Sequence, residues 1–158
     1  METKMDIPAL ERFVADQFPQ LGDDFQIETL TDDGVRVRLQ VQDRHLRPGG
    51  TVSGPSMFAL ADVGMYLAIL ARLGPVALAV TTNCSIDFMR KPAAGVDMIG
   101  DARLLKLGRV LAVGDVLIYS EGLDQPVARA SLTYSIPPNK GQDPKKGGGR
   151  GPPQSGTR

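Results

Sequence analysis

Tryptophan is absent from this 158-residue chain, and histidine and cysteine occur once each. The lone cysteine, Cys84, excludes an internal disulfide and favours a reducing compartment, so a cytoplasmic location is expected. One histidine and one cysteine cannot make a cluster with zinc-site spacing, and no metal or other cofactor is expected. Charge of one sign is also lacking. Formal net charge is zero, so no global field draws the chain to nucleic acid or an acidic partner. The opening METKMDIPAL has no basic-then-apolar pattern, which argues against a secretory signal. Long hydrophobic runs are missing except one. A chain of this size can bury a core of its own, and one domain is expected over residues 1–136.

The exception is SGPSMFALADVGMYLAILARLG. Of the 18 residues from Ser56 to Leu73, 14 are apolar, yet Asp62 lies near the middle. A membrane-spanning helix needs roughly 20 apolar residues. This run is shorter, carries Asp62 and Arg72, and opens on Gly-Pro, so it predicts a buried core helix and no membrane span. Gly54 or Ser53 suits its N-cap, Pro55 its first turn, and Gly74-Pro75 its end. A carboxylate in such a run must be desolvated, paired or used, because burying it unpaired is costly.

Around this helix the periodicities change. Residues 6–18 place Ile7, Leu10, Phe13, Val14 and Phe18 at helical spacing, which predicts a short amphipathic helix. GVRVRLQV alternates, with Val35, Val37, Leu39 and Val41 on one face, and follows FQIETLT through an Asp-Asp-Gly turn. The pair predicts a hairpin. Beyond the helix, VTTNCSIDF, MIGDARLLKL, VLAVGDVLIY and PVARASLTYSI predict strands joined by hairpin-length turns. In the first of these, alternation puts Val80, Thr82, Cys84, Ile86 and Phe88 on one face and Thr81, Asn83, Ser85 and Asp87 on the other. Strands segregated around one apolar helix argue an α+β fold. A helix apolar all round needs cover on every side, which one small sheet gives only in part, so a second subunit is expected. In the tail, 137–158, 11 of 22 residues are Gly or Pro, and five Lys or Arg face one acid, Asp143. That composition predicts disorder.

The loop and helix together, HLRPGGTVSGPSMFALAD, resemble the signature of hotdog-fold acyl-CoA thioesterases of the phenylacetate-degradation (PaaI-like) type. That pattern runs roughly H-x-N-P-x-G-x-x-H-G-G and then a helix reaching an acid. His45, Pro48, Gly50, Gly54, Leu60 and Asp62 match in place. NCSIDFMRKP is similar to the family strand ending F-x-R-P, and the likeness covers about residues 34–136. Three positions depart: Arg47 stands for Asn, Ser53 for the second His and Pro55 for the second Gly.

The resemblance implies a hotdog fold, an antiparallel sheet wrapped around the long helix. It also implies a homodimer or homotetramer with its site at the subunit interface, and acyl-CoA as substrate. Asp62 would be general base or nucleophile, and the Gly54 N–H would hold the oxyanion. A helix N-terminus suits that second role because free N–H groups and the positive dipole end gather there. Arg47, Ser53 and Tyr66 would stand near the thioester. Arg47 would either pair with Asp62 or bind an anionic group of the substrate. Asn83 would face the acyl pocket or solvent, and Arg90, Lys91 and Arg109 would either meet the nucleotide phosphates or merely end strands. His45 is expected to shape the loop. Two other readings stay open: an acyl-CoA-binding module without turnover, and a dehydratase or hydratase, which would need His45 in its chemistry.

Overall fold

The computed structural model describes residues 2–138. The basic tail read at 137–158 therefore falls, from residue 139 on, outside the described residues. Helix α1 (Ile7–Gln17) opens at Asp6, whose side chain accepts from the Ala9 N–H at 2.9 Å. Strands β1 (Phe25–Leu30) and β2 (Gly34–Leu39) form the hairpin, and the apolar run is helix α2 (Gly54–Leu73). Four strands follow: β3 (Val80–Phe88), β4 (Met98–Leu107), β5 (Leu111–Ser120) and β6 (Ala128–Ser135). All six strands pair antiparallel in the order β1-β2-β4-β5-β6-β3, so β1 and β3 are the edges.

One face of this sheet packs on α2. Val35, Val37 and Leu39 of β2, Ala102 and Leu104 of β4, Val116 and Ile118 of β5, and Leu132 of β6 are buried with Leu60, Met65, Ile69 and Leu70 of the helix. The helix lies close because glycines stand beneath it. A Cβ on Gly100 would sit 3.1 Å from Leu60, and one on Gly114 only 2.3 Å from Met65. A long helix cradled by an antiparallel sheet is the hotdog fold, and the α+β reading holds. By length and composition α2 could cross a membrane, but most of it is buried within this chain.

The two ends of α2 are finished differently. At the C-terminus Arg72, 3% exposed, donates to the Gly34 carbonyl at 2.9 Å and to the Thr31 carbonyl, tying the helix to the β1–β2 turn. At the N-terminus the helix opens into a cleft.

Candidate active site

The loop before α2 is built from its own backbone. His45 accepts the Gln42 N–H on Nδ1 at 2.9 Å, and its Nε2 lies 3.3 Å from Asp24 Oδ2. The Asp24 carboxyl is held below its usual range, chiefly by a hydrogen bond from Arg44, with desolvation opposing. Leu46 bridges to Val52, and the Arg47 N–H donates to the Thr51 carbonyl at 2.9 Å. The turn between them needs positive φ at Gly49 and Gly50 (103° and 82°). The Ser53 N–H closes the loop on the His45 carbonyl at 2.8 Å. His45 thus shapes this loop, as the sequence predicts.

Ser53 is the N-cap of α2, its Oγ accepting from the Ser56 N–H at 3.3 Å, and its carbonyl accepts from the Met57 N–H at 3.1 Å. Pro55 has no N–H to offer. Among the described residues the first turn therefore retains one unengaged donor, the Gly54 N–H. The Phe88 ring at the end of β3 packs over it, 3.3 Å from where a Gly54 Cβ would stand. Arg47, Ser53, Gly54, Met57, Phe88, Arg90 and Lys91 line one cleft of about 640 Å³. Its lining holds three cations and no carboxylate.

Asp62 lies eight residues further along α2, which at 1.5 Å per residue is about 12 Å from Gly54. Its Oδ1 accepts two hydroxyls, Thr81 of β3 and Tyr134 of β6, each at 2.5 Å. Both contacts fall on the same oxygen. Oδ2 takes no hydrogen bond from the described residues and is not sealed from solvent. Tyr134 is 2% exposed; burial and its bond to Asp62 push its phenol far up, so it serves as a donor. Burial also raises the Cys84 thiol, and the negative charge of Asp62 adds to the shift.

Thr81 and Tyr134 are the residues that sequence reasoning misses. Strict alternation puts Thr81 on the face opposite Cys84 and Ile86. The structure corrects this: β3 carries a bulge between Thr81 and Asn83, with Thr82 as the extra residue, and the strand changes phase there. Thr81, Cys84 and Ile86 consequently all turn inward, half-buried. Tyr134 did leave a signal. It shares an alternating face with Ala128, Ala130 and Leu132, and a phenol on a buried face requires an acceptor.

The remaining predicted site residues are spread out. Tyr66 donates to the Ala77 carbonyl at 3.1 Å, and its ring meets Phe18 at 5.8 Å, so its hydroxyl is engaged away from Asp62. Arg47 is exposed and pairs with no acid among the described residues; in particular it does not reach Asp62 of its own chain. Arg90 donates to the Pro126 carbonyl at 2.7 Å, while Lys91 is exposed. Asn83 is exposed on β3. Arg109 is exposed in the β4–β5 turn, at the end of the sheet where β3 begins, whereas Arg90 and Lys91 follow its other end. No group of three metal-ligating side chains occurs among the described residues.

The profile of the thioesterase superfamily matches residues 49–127, which take in most of the cleft's lining, α2 and most of the strands after it. The chain is 60% identical to a provisionally named thioesterase from Silicibacter sp. TM1040, whose crystal structure superposes with a TM-score of 0.82 over 87% of this chain and 96% of that one. A mutant structure of the phenylacetic acid degradation protein PaaI from Thermus thermophilus is similar at 31% identity and TM-score 0.61, covering 71% of this chain and 92% of that one. A protein from Streptococcus mutans UA159, solved with acetyl-CoA bound, is similar at 26% identity and TM-score 0.64, over 74% and 91% of the two chains.

Proposed function

The chain belongs to the thioesterase superfamily, and from that premise we propose that it hydrolyses acyl-CoA thioesters with an aryl or medium-chain acyl group. The observation that carries this reading is the grip on Asp62. Two hydroxyls fix Oδ1 while Oδ2 stays open, so one oxygen orients the carboxylate and the other is left to react. As general base, Oδ2 takes a proton from water as that water attacks the thioester carbonyl; as nucleophile, it attacks the carbonyl itself and water then cleaves the anhydride. In either route the carbonyl oxygen gains negative charge, which the Gly54 N–H and the helix dipole stabilise. The C–S bond breaks, coenzyme A leaves as a thiolate that solvent protonates, and the free acid remains.

Gly54 and Asp62 of one chain are about 12 Å apart, too far to serve one carbonyl together. They also lie against opposite ends of β3, since Phe88 covers Gly54 and Thr81 binds Asp62. β3 is an edge strand with Val80, Phe88 and Met89 exposed around it. Antiparallel pairing of β3 with that of a second copy would set the Asp62 end of one chain against the Gly54 end of the other. The functional unit is then a homodimer or a homotetramer built from it, with each site shared by two chains. The cationic cleft suits the phosphates of coenzyme A, Arg90 and Lys91 from one copy being joined by Arg109 from the other. The acetyl-CoA complex of the Streptococcus mutans protein supports a coenzyme A ligand. The catalytic domain runs through residue 136, the Gly/Pro-rich basic tail is dispensable, and the enzyme works in the cytoplasm without metal or cofactor.

Thiol release from a panel of aryl and medium-chain acyl-CoAs tests this, wild type against Asp62→Asn. A positioned base contributes about 10²–10⁴-fold, and a loss of that size in a folded variant is expected. Binding of acyl-CoA with no turnover by wild type would replace the hydrolase with a binding module. In single turnover in ¹⁸O water, label entering the Asp62 carboxylate distinguishes nucleophile from base.

A further inference from the structure

We propose that Tyr134 is a positioning residue for hydrolysis, its hydroxyl gripping both the main chain and the side chain of Asp62 so that Oδ2 is aimed at the reacting group. The proposal rests on the reading of Asp62 as the reacting carboxylate. Its own basis is geometric. The Tyr134 hydroxyl lies 2.9 Å from the Asp62 carbonyl oxygen and 2.5 Å from Oδ1, sharing one proton between two acceptors of the same residue. A contact to the side chain alone would leave the carboxylate free to rotate with its donor. A contact to the backbone as well ties the carboxylate to the frame of α2. Tyr134 is itself held firmly. It sits in β6, paired with Thr81 on one side and Ala112 on the other, and is almost wholly buried.

The arrangement is costly if it serves packing alone. A phenylalanine would fill the same space in the core without bringing a hydroxyl that must be satisfied. The opposite arm of the grip is Thr81, delivered to the same oxygen by the bulge in β3. The two donors approach from neighbouring strands that are hydrogen-bonded to each other, so they form one rigid fork under Asp62. Other titratable groups here are Cys84 on β3, close enough to feel the charge of Asp62, and Tyr66 on α2, close enough to add to the upward shift of Tyr134. Neither donates to the carboxylate. Tyr66 is committed to the Ala77 carbonyl.

The test is steady-state kinetics of Tyr134→Phe on the acyl-CoA that wild type turns over best, with folding checked by thermal unfolding. Misplacing a reacting group by about 1 Å can cost on the order of 10²-fold. We expect kcat to fall about 10–100-fold with KM unchanged, because the substrate cleft is untouched. Wild-type kcat in Tyr134→Phe, alongside an inactive Asp62→Asn, would overturn this proposal alone. Wild-type turnover by Asp62→Asn would overturn the reading of the site as well. If Tyr134→Phe does not fold, Thr81 carries the test. A kcat lost in Thr81→Val and recovered in Thr81→Ser supports the fork, and an unchanged kcat in Thr81→Val overturns it.

Discussion

Helix α2 carries two charges in an otherwise apolar sequence, one near its middle and one near its C-terminus, and the fold treats them in opposite ways. Arg72 is closed in, 3% exposed, and spends its guanidinium on the backbone carbonyls of Thr31 and Gly34. Desolvation pulls it down from its usual range, and Asp33 and Asp32 oppose that shift. Asp62 is half-buried, held by side-chain hydroxyls on one oxygen, with the other oxygen open. A buried charge bonded to main-chain carbonyls fastens elements together. A charge held from one side by side chains keeps the capacity to react. The same cost of desolvation serves structure near the C-terminus of the helix and, on the proposed function, chemistry at its middle.

The sharpest way to break this comparison is to remove each charge in turn. Asp62→Asn should lower kcat by about 10²–10⁴-fold while denaturant unfolding shifts little. A folded enzyme with full activity would put Asp62 on the same structural footing as Arg72. Arg72→Met should do the reverse. Hydrogen bonds from a charged group contribute about 1.5–3 kcal/mol each, so the urea midpoint should drop while kcat per folded molecule holds. Gly34 extends the structural half of the contrast. Its Cβ would stand 1.6 Å from the Ala102 carbonyl oxygen, a collision with backbone that no rotamer relieves. Gly34→Ala should lose about 1–3 kcal/mol or more, again without a specific effect on turnover.

Smaller effects sharpen the functional half. Arg90→Ala and Lys91→Ala should raise KM for acyl-CoA severalfold with kcat kept. The difference from wild type should shrink as salt rises, because exposed charges are screened over about 10 Å at 0.1 M. The smallest effect concerns the loop. The folded Asp24 carboxyl sits below its unfolded value of about 3.9, so its contribution to stability is fully present above that pH and is lost as pH falls through the folded value. Asp24→Asn should therefore lower the melting temperature slightly at neutral pH, by well under about 1 kcal/mol for so accessible a pair. The gap from wild type should close in acid. A gap that persists in acid strong enough to protonate the folded carboxyl would assign Asp24 a role other than its ion pair with Arg44 and its contact with His45.

The β3 and β6 strands show where reading by pattern succeeds and where it stops. The PVARASLTYSI pattern located β6 without singling out Tyr134, which the structure places on its buried face because a regular strand keeps a period of two. The same rule located β3 but misplaced Thr81, because one extra residue in a ladder reverses the phase and no residue type announces it. The family resemblance likewise put Tyr66 near the thioester. A tyrosine hydroxyl stands far from its Cα, however, and the Ala77 carbonyl is the acceptor it reaches.

The sequence by itself determined the apolar helix with its acid, its start at Ser53 or Gly54 with Pro55 in the first turn, the strands and the α+β class. These are local: they follow from periodicity, from proline lacking an N–H, and from the φ that glycine permits. Tertiary structure alone decided which hydroxyls meet Asp62, which of its oxygens stays open, and that Gly54 and Asp62 lie against opposite ends of one edge strand. Those depend on strand register and on a bulge, which are set by how residues distant in sequence pack together.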